Sequence, residues 1–290
     1  MNTRVSLLLA SFTLSMLAAS AAEAQSSDGA LDRIRSRGAI SIGYRDSSIP
    51  FSYVDAQGKP LGYSTDICLE VVQTVKAALG LNDLQVKMVP VNLQNRIPLV
   101  ANGTVDISCE SAVNTIGRQS QVDFSYPFFI SQTRLLVKNK SSITELKDLD
   151  GKAIALPINS VPERLIKSII EKDKLNVRVV PVKDNAEGFL ALSTDRVDAF
   201  STDDILLFGL RSKAPTPSDY SVVGAPLSYD SYGLLVQKNS TVLLSLVNAT
   251  LSRMSRDGRL EKLYAKWFAP IDVPLSPVLA TVMKVIAIPE

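Results

Sequence analysis

Residues Val105 to Phe129 read VDISCESAVNTIGRQSQVDFSYPFF. Val105 to Ser108 predict a short buried strand that stops in a loop of small and polar residues. A helical turn carrying Arg118 follows, and the chain leaves through the extended run Phe124-Ser125-Tyr126-Pro127-Phe128-Phe129. A strand end opening into hydroxyls, free backbone N–H groups and one arginine suits an anion. In that reading Ser111 faces the anion and Arg118 clamps a carboxylate through two parallel hydrogen bonds. The same residues also suit a surface loop with a solvated arginine, so the surrounding chain has to decide.

Upstream, an expected exposed helical segment Leu31 to Arg37 ends at Gly38, and strand Ala39 to Tyr44 leads into Arg45-Asp46-Ser47-Ser48-Ile49-Pro50. After a turn bracketed by Gly58 and Gly62, Ser64 or Thr65 is expected to cap a helix running to Leu79. Its apolar positions Ile67, Val71, Val75 and Ala78 keep helical spacing, and Gly80 stops it. Strand Leu84 to Val89 and a helix from about Asn95 come before the opening stretch; Pro98 sits in that helix's first turn, where a missing N–H is harmless. Downstream the pattern restarts: strand Ala153 to Leu156, helix Val161 to Lys172, strand Val177 to Val182, helix Ala186 to Ser193, strand Val197 to Ser201, helix Asp203 to Leu210. This alternation predicts an α/β fold on largely parallel sheets.

The two halves echo one another. Val86-Lys87-Met88-Val89-Pro90-Val91 matches Val177-Arg178-Val179-Val180-Pro181-Val182, and each is followed by a helix leading to a Val-Asp strand head, Val105-Asp106 and Val197-Asp198. Two unrelated βαβ units can also look this alike. A true repeat means two lobes, with Ser108 and Ser201 ending equivalent strands. Ligands sit beyond the carboxyl ends of strands in open α/β sheets, so Ser111, Arg118 and Asp203 would then face one cleft. An arginine and an aspartate converging suit a zwitterion. Strand Tyr232 to Lys238 and helices Val242 to Ser255 and Arg259 to Phe268 return the chain to the first lobe. Two extended crossings, near Ile130 to Leu136 and Leu227 to Leu235, make a hinge. The expected division is residues 25–129 with 233–272, residues 130–232, and a tail of 273–290.

Composition narrows the class. The chain has 290 residues, is 46% hydrophobic and 21% charged, and carries a formal charge of +2, too little to attract nucleic acid or an anionic membrane surface. It contains no histidine, which excludes Ser-His and Cys-His catalysis and removes the commonest zinc ligand; no metal or cofactor is expected. Residues 1–24 read as a cleaved signal peptide, with Arg4, an apolar run Val5 to Ala19 and the cleavage box Ala22-Glu23-Ala24. No later segment is long and apolar enough to span a bilayer, because Pro277 to Ile286 is short and contains Lys284. The mature chain is expected to be exported and soluble. There the pair Cys68 and Cys109 favours a disulfide over two buried thiols.

At these residues the sequence resembles the type II periplasmic amino-acid-binding proteins of ABC importers, solute-binding family 3, and within them the glutamate/aspartate-binding branch. The resemblance runs from about Leu31 to Phe268. It is carried by Arg45-Asp46-Ser47-Ser48-Ile49-Pro50-Phe51-Ser52-Tyr53, Gly62-Tyr63-Ser64, Gln94-Asn95-Arg96-Ile97-Pro98-Leu99, Arg118-Gln119, Thr133-Arg134-Leu135-Leu136 and Lys266-Trp267-Phe268. It implies a monomeric periplasmic protein that closes two lobes over an acidic amino acid and delivers it to an inner-membrane permease. It also implies that Arg118, Ser111 and Ser160 bind the α-carboxylate, that Asp203 holds the ammonium, and that Arg45 and Arg96 line the side-chain end. Several members of this branch bridge the positions of Cys68 and Cys109, which supports the disulfide.

Three positions depart from the branch. Leu93 and Val113 stand where it has a serine and a threonine, and Asn185 stands where it has a histidine. Arg45 and Arg96, left unpaired in a closed cleft, would require a second anionic group on the ligand. An enzyme on the same fold, such as a cyclohexadienyl dehydratase, is the alternative. Glu110 and Glu163 would then be its candidate acid/base carboxylates.

Overall fold

The computed structural model describes residues 29–289; the signal-peptide reading of residues 1–24 lies outside them. In chain order the first part comprises α1 (Gly29–Arg37), β1 (Ala39–Tyr44), β2 (Ser47–Ser48), β3 (Ser52–Val54), β4 (Pro60–Leu61), α2 (Tyr63–Leu79), β5 (Gln85–Pro90), α3 (Arg96–Ala101), β6 (Ile107–Ser108), α4 (Ile116–Gln119) and β7 (Val122–Phe124). Then come β8 (Phe129–Ser131), β9 (Thr133–Lys138), β10 (Ala153–Pro157), α5 (Val161–Lys172), β11 (Arg178–Val182), α6 (Asn185–Ser193), β12 (Ala199–Asp203), α7 (Asp204–Ser212), β13 (Tyr220–Val223) and β14 (Asp230–Tyr232). The chain ends with β15 (Leu235–Gln237), α8 (Thr241–Arg256), α9 (Arg259–Phe268) and α10 (Pro277–Ile286).

Two five-stranded sheets organise the lobes, in the orders β5-β1-β6-β15-β7 and β11-β10-β12-β9-β13. Their layouts are the same. In each, the first strand lies between two parallel partners, and an antiparallel pair completes the sheet. The echo between β5 and β11 is therefore a repeat of architecture. The fourth strand of each sheet arrives through the crossings: β9 follows the first lobe directly and β15 follows the second. Between the lobes β8 and β14 pair antiparallel, Ile130 opposite Ser231, so the hinge is a two-stranded ribbon.

Burial explains why these segments become strands. In the second sheet Ala153 and Ala155 face one core while Ile154 and Leu156 face another. A strand covered by helices on both sides must be apolar at every position, which is how AIALP reads. Helix α2 buries Ile67, Cys68, Val71, Val72 and Val75 against the first sheet, each worth about 1.5–3 kcal/mol when fully withdrawn from water.

Several boundaries differ from the sequence expectation. Helix α2 begins at Tyr63 behind Gly62, not at a Ser64 or Thr65 cap. A Cβ on Gly62 would lie 2.2 Å from the Phe51 carbonyl oxygen, and its φ is +135°, so only glycine lets the chain enter the helix there. Ser64 Oγ is used elsewhere, donating to the Glu110 carbonyl at 3.2 Å. The expected strand Tyr232 to Lys238 is two strands, because the chain passes from the hinge ribbon (β14) to the first sheet (β15). Strand β12 runs two residues further than expected, making Asp203 its last residue. The segment before β1 is not wholly exposed: α1 buries Ala30 and Ile34. The tail of 273–290 contains α10, which places Leu279, Met283 and Ile286 in the first lobe's core. Cys68 and Cys109 are bridged, with Cα atoms 6.2 Å apart.

Candidate ligand-binding site

Six carboxyl ends of parallel strands point into the gap between the lobes. Arg45 follows β1, Leu93 and Arg96 follow β5, and Ser111 follows β6; from the other lobe come Ser160 after β10, Asn185 after β11 and Asp203 at the end of β12. All seven side chains singled out in the sequence, Arg45, Arg96, Ser111, Arg118, Ser160, Asn185 and Asp203, line one cavity there, with the departing residues Leu93 and Val113. This is where open α/β sheets present ligands.

Local structure sets each group. Thr115 caps α4 by accepting from the Arg118 backbone N–H, which fixes the turn from which the Arg118 side chain departs. The guanidinium donates to the Val113 carbonyl at 2.8 Å and, across the gap, to the Asn159 carbonyl at 3.2 Å. Ser160 is the N-cap of α5 and accepts from Glu163 N–H. Asn185, capped by Asp184, is the buried first residue of α6.

The charged groups are withdrawn from water: relative exposure is 1% for Arg45, 2% for Arg96, 0% for Glu110, 9% for Arg118 and 5% for Asp203. Glu110 is the residue whose role the sequence reading missed. Its carboxylate accepts from Arg96 Nη1 at 2.7 Å and from Ser108 Oγ at 3.0 Å, and lies 3.6 Å from Arg45 Nη1. The expected unpaired arginines are thus corrected to a pair sharing one internal anion. Burial pushes the Glu110 carboxyl up, but Arg96 and Arg45, with the two hydrogen bonds, outweigh it and hold it below its ordinary value. Its place between Cys109 and Ser111 was the available signal, since the disulfide pins this strand end.

Burial, reinforced by Arg96, lowers Arg118 to about 9. Burial also pushes Asp203 up to about 7, against a hydrogen bond from Tyr232 and with Asp230 and Asp204 adding repulsion. Tyr232 Oη donates to Asp203 Oδ2 at 2.6 Å from the hinge strand β14. Nothing local in the sequence marks Tyr232, because the contact depends on the hinge ribbon. Four buried polar atoms of these side chains have no protein partner: Arg45 Nε and Nη2, Arg96 Nε and Asp203 Oδ1. The cavity therefore offers donors at its arginine end and an acceptor at Asp203, the complement of a molecule carrying carboxylate and ammonium groups.

The two carboxylates named for the enzyme alternative are both engaged. Glu110 is held charged between arginines, and Glu163 is engaged by Lys167 Nζ at 2.7 Å and by Asn159 N–H at 2.7 Å.

Comparison with known proteins points the same way. The chain is 40% identical over 255 residues, 86% of its length and 84% of the relative's, to a glutamate/aspartate import solute-binding protein of Salmonella typhimurium. It is 42% identical over 241 residues, 83% of its length and 80% of the relative's, to an L-glutamate/L-aspartate-binding protein of Pseudomonas aeruginosa. A crystal structure of a variant of ArgBP from T. maritima superposes with a TM-score of 0.73 at 26% identity, covering 83% of this chain and 99% of that one. The family model of the bacterial extracellular solute-binding proteins, family 3, matches residues 40–270. The chain belongs to the bacterial extracellular solute-binding proteins, family 3.

Proposed function

We propose that this protein captures an acidic amino acid, glutamate or aspartate, by closing its lobes and hands it to an inner-membrane ABC permease. The observation that carries the reading is the set of unpartnered atoms in the cavity, donors on Arg45 and Arg96 and an acceptor on Asp203. The α-carboxylate goes to Arg118, Ser111 and Ser160, the ammonium to Asp203, and the side-chain carboxylate to Arg45, Arg96 and Asn185. The names of the curated relatives, and the engaged state of Glu110 and Glu163, support a binder over a dehydratase. Export to the periplasm through the signal peptide read in residues 1–24 belongs to the same reading; among the described residues no helix is long and apolar enough to cross a membrane. A monomer divided at residues 129/130 and 232/233, with 273–290 as an appended segment of the first lobe, completes the proposal.

The test is calorimetry on the mature protein with glutamate, aspartate, glutamine and arginine. Glutamate or aspartate should bind tightest. Arg118→Ala should weaken every ligand by about a hundredfold, because a charge-assisted contact in a dry cleft is worth about 3 kcal/mol. A neutral or basic amino acid outcompeting both acidic ones would overturn the reading.

A further inference from the structure

Five buried charges gather at the cavity: Arg45, Arg96, Arg118 and Asp203 line it, and Glu110 stands behind the lining, paired with Arg96 and Arg45. Together they leave one positive charge in a site closed off from water. Other charged groups act on this cluster without lining the cavity: Asp46 and Asp184 toward Arg45, Arg164 toward Arg118, and Asp230 and Asp204 toward Asp203. All are partly buried or exposed, and Asp204 already accepts from the Gln132 and Ile205 backbone N–H groups.

We infer that Glu110 is a specificity-determining residue: as the built-in counter-ion of Arg45 and Arg96, it sets the closed site at one net positive charge and so selects a ligand of one net negative charge. The inference rests on the acidic-amino-acid reading above and extends it. Glutamate and aspartate, with two carboxylates and one ammonium, match the site. Above pH 7, where Asp203 carries its charge, a dicarboxylate without the ammonium leaves one negative charge unbalanced in a low-dielectric cavity, and glutamine leaves one positive charge unbalanced. An uncompensated buried charge is the costly outcome in either case. The geometry supports a charge-setting role. Glu110 shows no exposed surface. Its hydrogen bonds come from Arg96 and Ser108, and the Cys68–Cys109 bridge beside it fixes its backbone. Arg45 keeps two unpartnered nitrogens and Arg96 one, so the counter-ion leaves donors free for a ligand carboxylate.

The experiment is calorimetric affinity at pH 8, where Asp203 is charged, for glutamate, glutarate and glutamine across four proteins: wild type, Glu110→Gln, Arg45→Gln, and Arg45→Gln combined with Glu110→Gln. Glu110→Gln raises the site to two positive charges, and the preference for glutamate over glutarate should fall at least tenfold. Arg45→Gln makes the site neutral and should move the preference at least tenfold from glutamate toward glutamine. Adding Glu110→Gln to it should move the preference back toward glutamate. A purely structural Glu110 would weaken all ligands alike and leave both ratios within twofold of their parents, which overturns the inference. If Glu110→Gln alone does not fold, the comparison of Arg45→Gln with the double variant still decides it. Wild-type protein that binds neither glutamate nor aspartate overturns the functional proposal and this inference together; wild-type binding with unmoved ratios overturns the inference alone.

Discussion

The two lobes share one sheet layout but hold their sides of the cavity by different means. The first lobe supplies all three arginines and Glu110. Behind them stands one large core that includes an aromatic cluster, with Phe51 and Phe129 ring centres 4.8 Å apart and Tyr264 and Phe268 4.2 Å apart, and the Cys68–Cys109 bridge. The second lobe supplies small or uncharged groups at helix starts, Ser160 and Asn185, with Asp203 at a strand end. Its core is split into two smaller clusters, one on each face of its sheet. Like charges held close repel and have to be fixed rigidly, whereas a hydroxyl or amide tolerates a moving partner. That difference assigns the first lobe the part of platform and the second the part of lid.

The largest effect expected from this contrast lies in stability. Replacing Cys68 and Cys109 by alanine frees a loop spanning a sequence separation of 41, and the chain-entropy model gives a loss of about 4 kcal/mol. Denaturant unfolding measures the total, and hydrogen exchange should show the weakening concentrated in α2 and β6 while β10 to β12 keep their protection. Weakening spread equally over both lobes would contradict the platform assignment.

A smaller effect is expected where the lobes meet. Gly209 on α7 lies against the first lobe: a Cβ there would stand 2.2 Å from the Ile49 carbonyl oxygen. Gly209→Ala therefore forces the lid away from the platform without touching the site. Overpacking of this kind costs about 2 kcal/mol, roughly thirtyfold in affinity. Small-angle scattering with saturating glutamate should show incomplete compaction. Unchanged affinity and compaction would mean that closure does not bring these two atoms together.

The smallest effect is on pH dependence, and it belongs to the Asp203 side. Because burial raises Asp203 to about 7 in the folded protein, the ligand-free fold holds a proton there that the unfolded chain has already released. This group's contribution to stability is therefore greatest below the ordinary carboxylate range and declines as pH rises toward 7. An ammonium requires the charged form, so binding releases that proton. Glutamate affinity should fall about tenfold between pH 8 and pH 6, a window in which neither ligand carboxylate titrates. Calorimetry in buffers of different ionisation enthalpy should register the proton released. A flat profile would show that Asp203 is already charged in the open form.

How much of this was legible beforehand depends on the range of the forces involved. Strand and helix periodicity, the stop of α2 at Gly80, the repeat of two βαβ halves and the pairing of two cysteines are written in near-neighbour pattern and composition. They determined the fold class and brought Ser111, Arg118 and Asp203 toward one cleft, whereas Arg45, Arg96, Ser160 and Asn185 were candidates through the resemblance to the family. Boundaries moved by a few residues where a distant backbone intervened, as the Phe51 carbonyl does at Gly62. The tertiary structure alone decided which charges neutralise one another. Glu110 reads in the sequence as a polar residue in a loop, and only the convergence of Arg45 from β1 and Arg96 from α3 makes it a buried counter-ion. Tyr232 meets Asp203 only because β14 pairs with β8, and Gly209 meets Ile49 only because two lobes pack. Such contacts join positions far apart in the chain, and their energies depend on burial and distance, quantities that no local pattern of residues encodes.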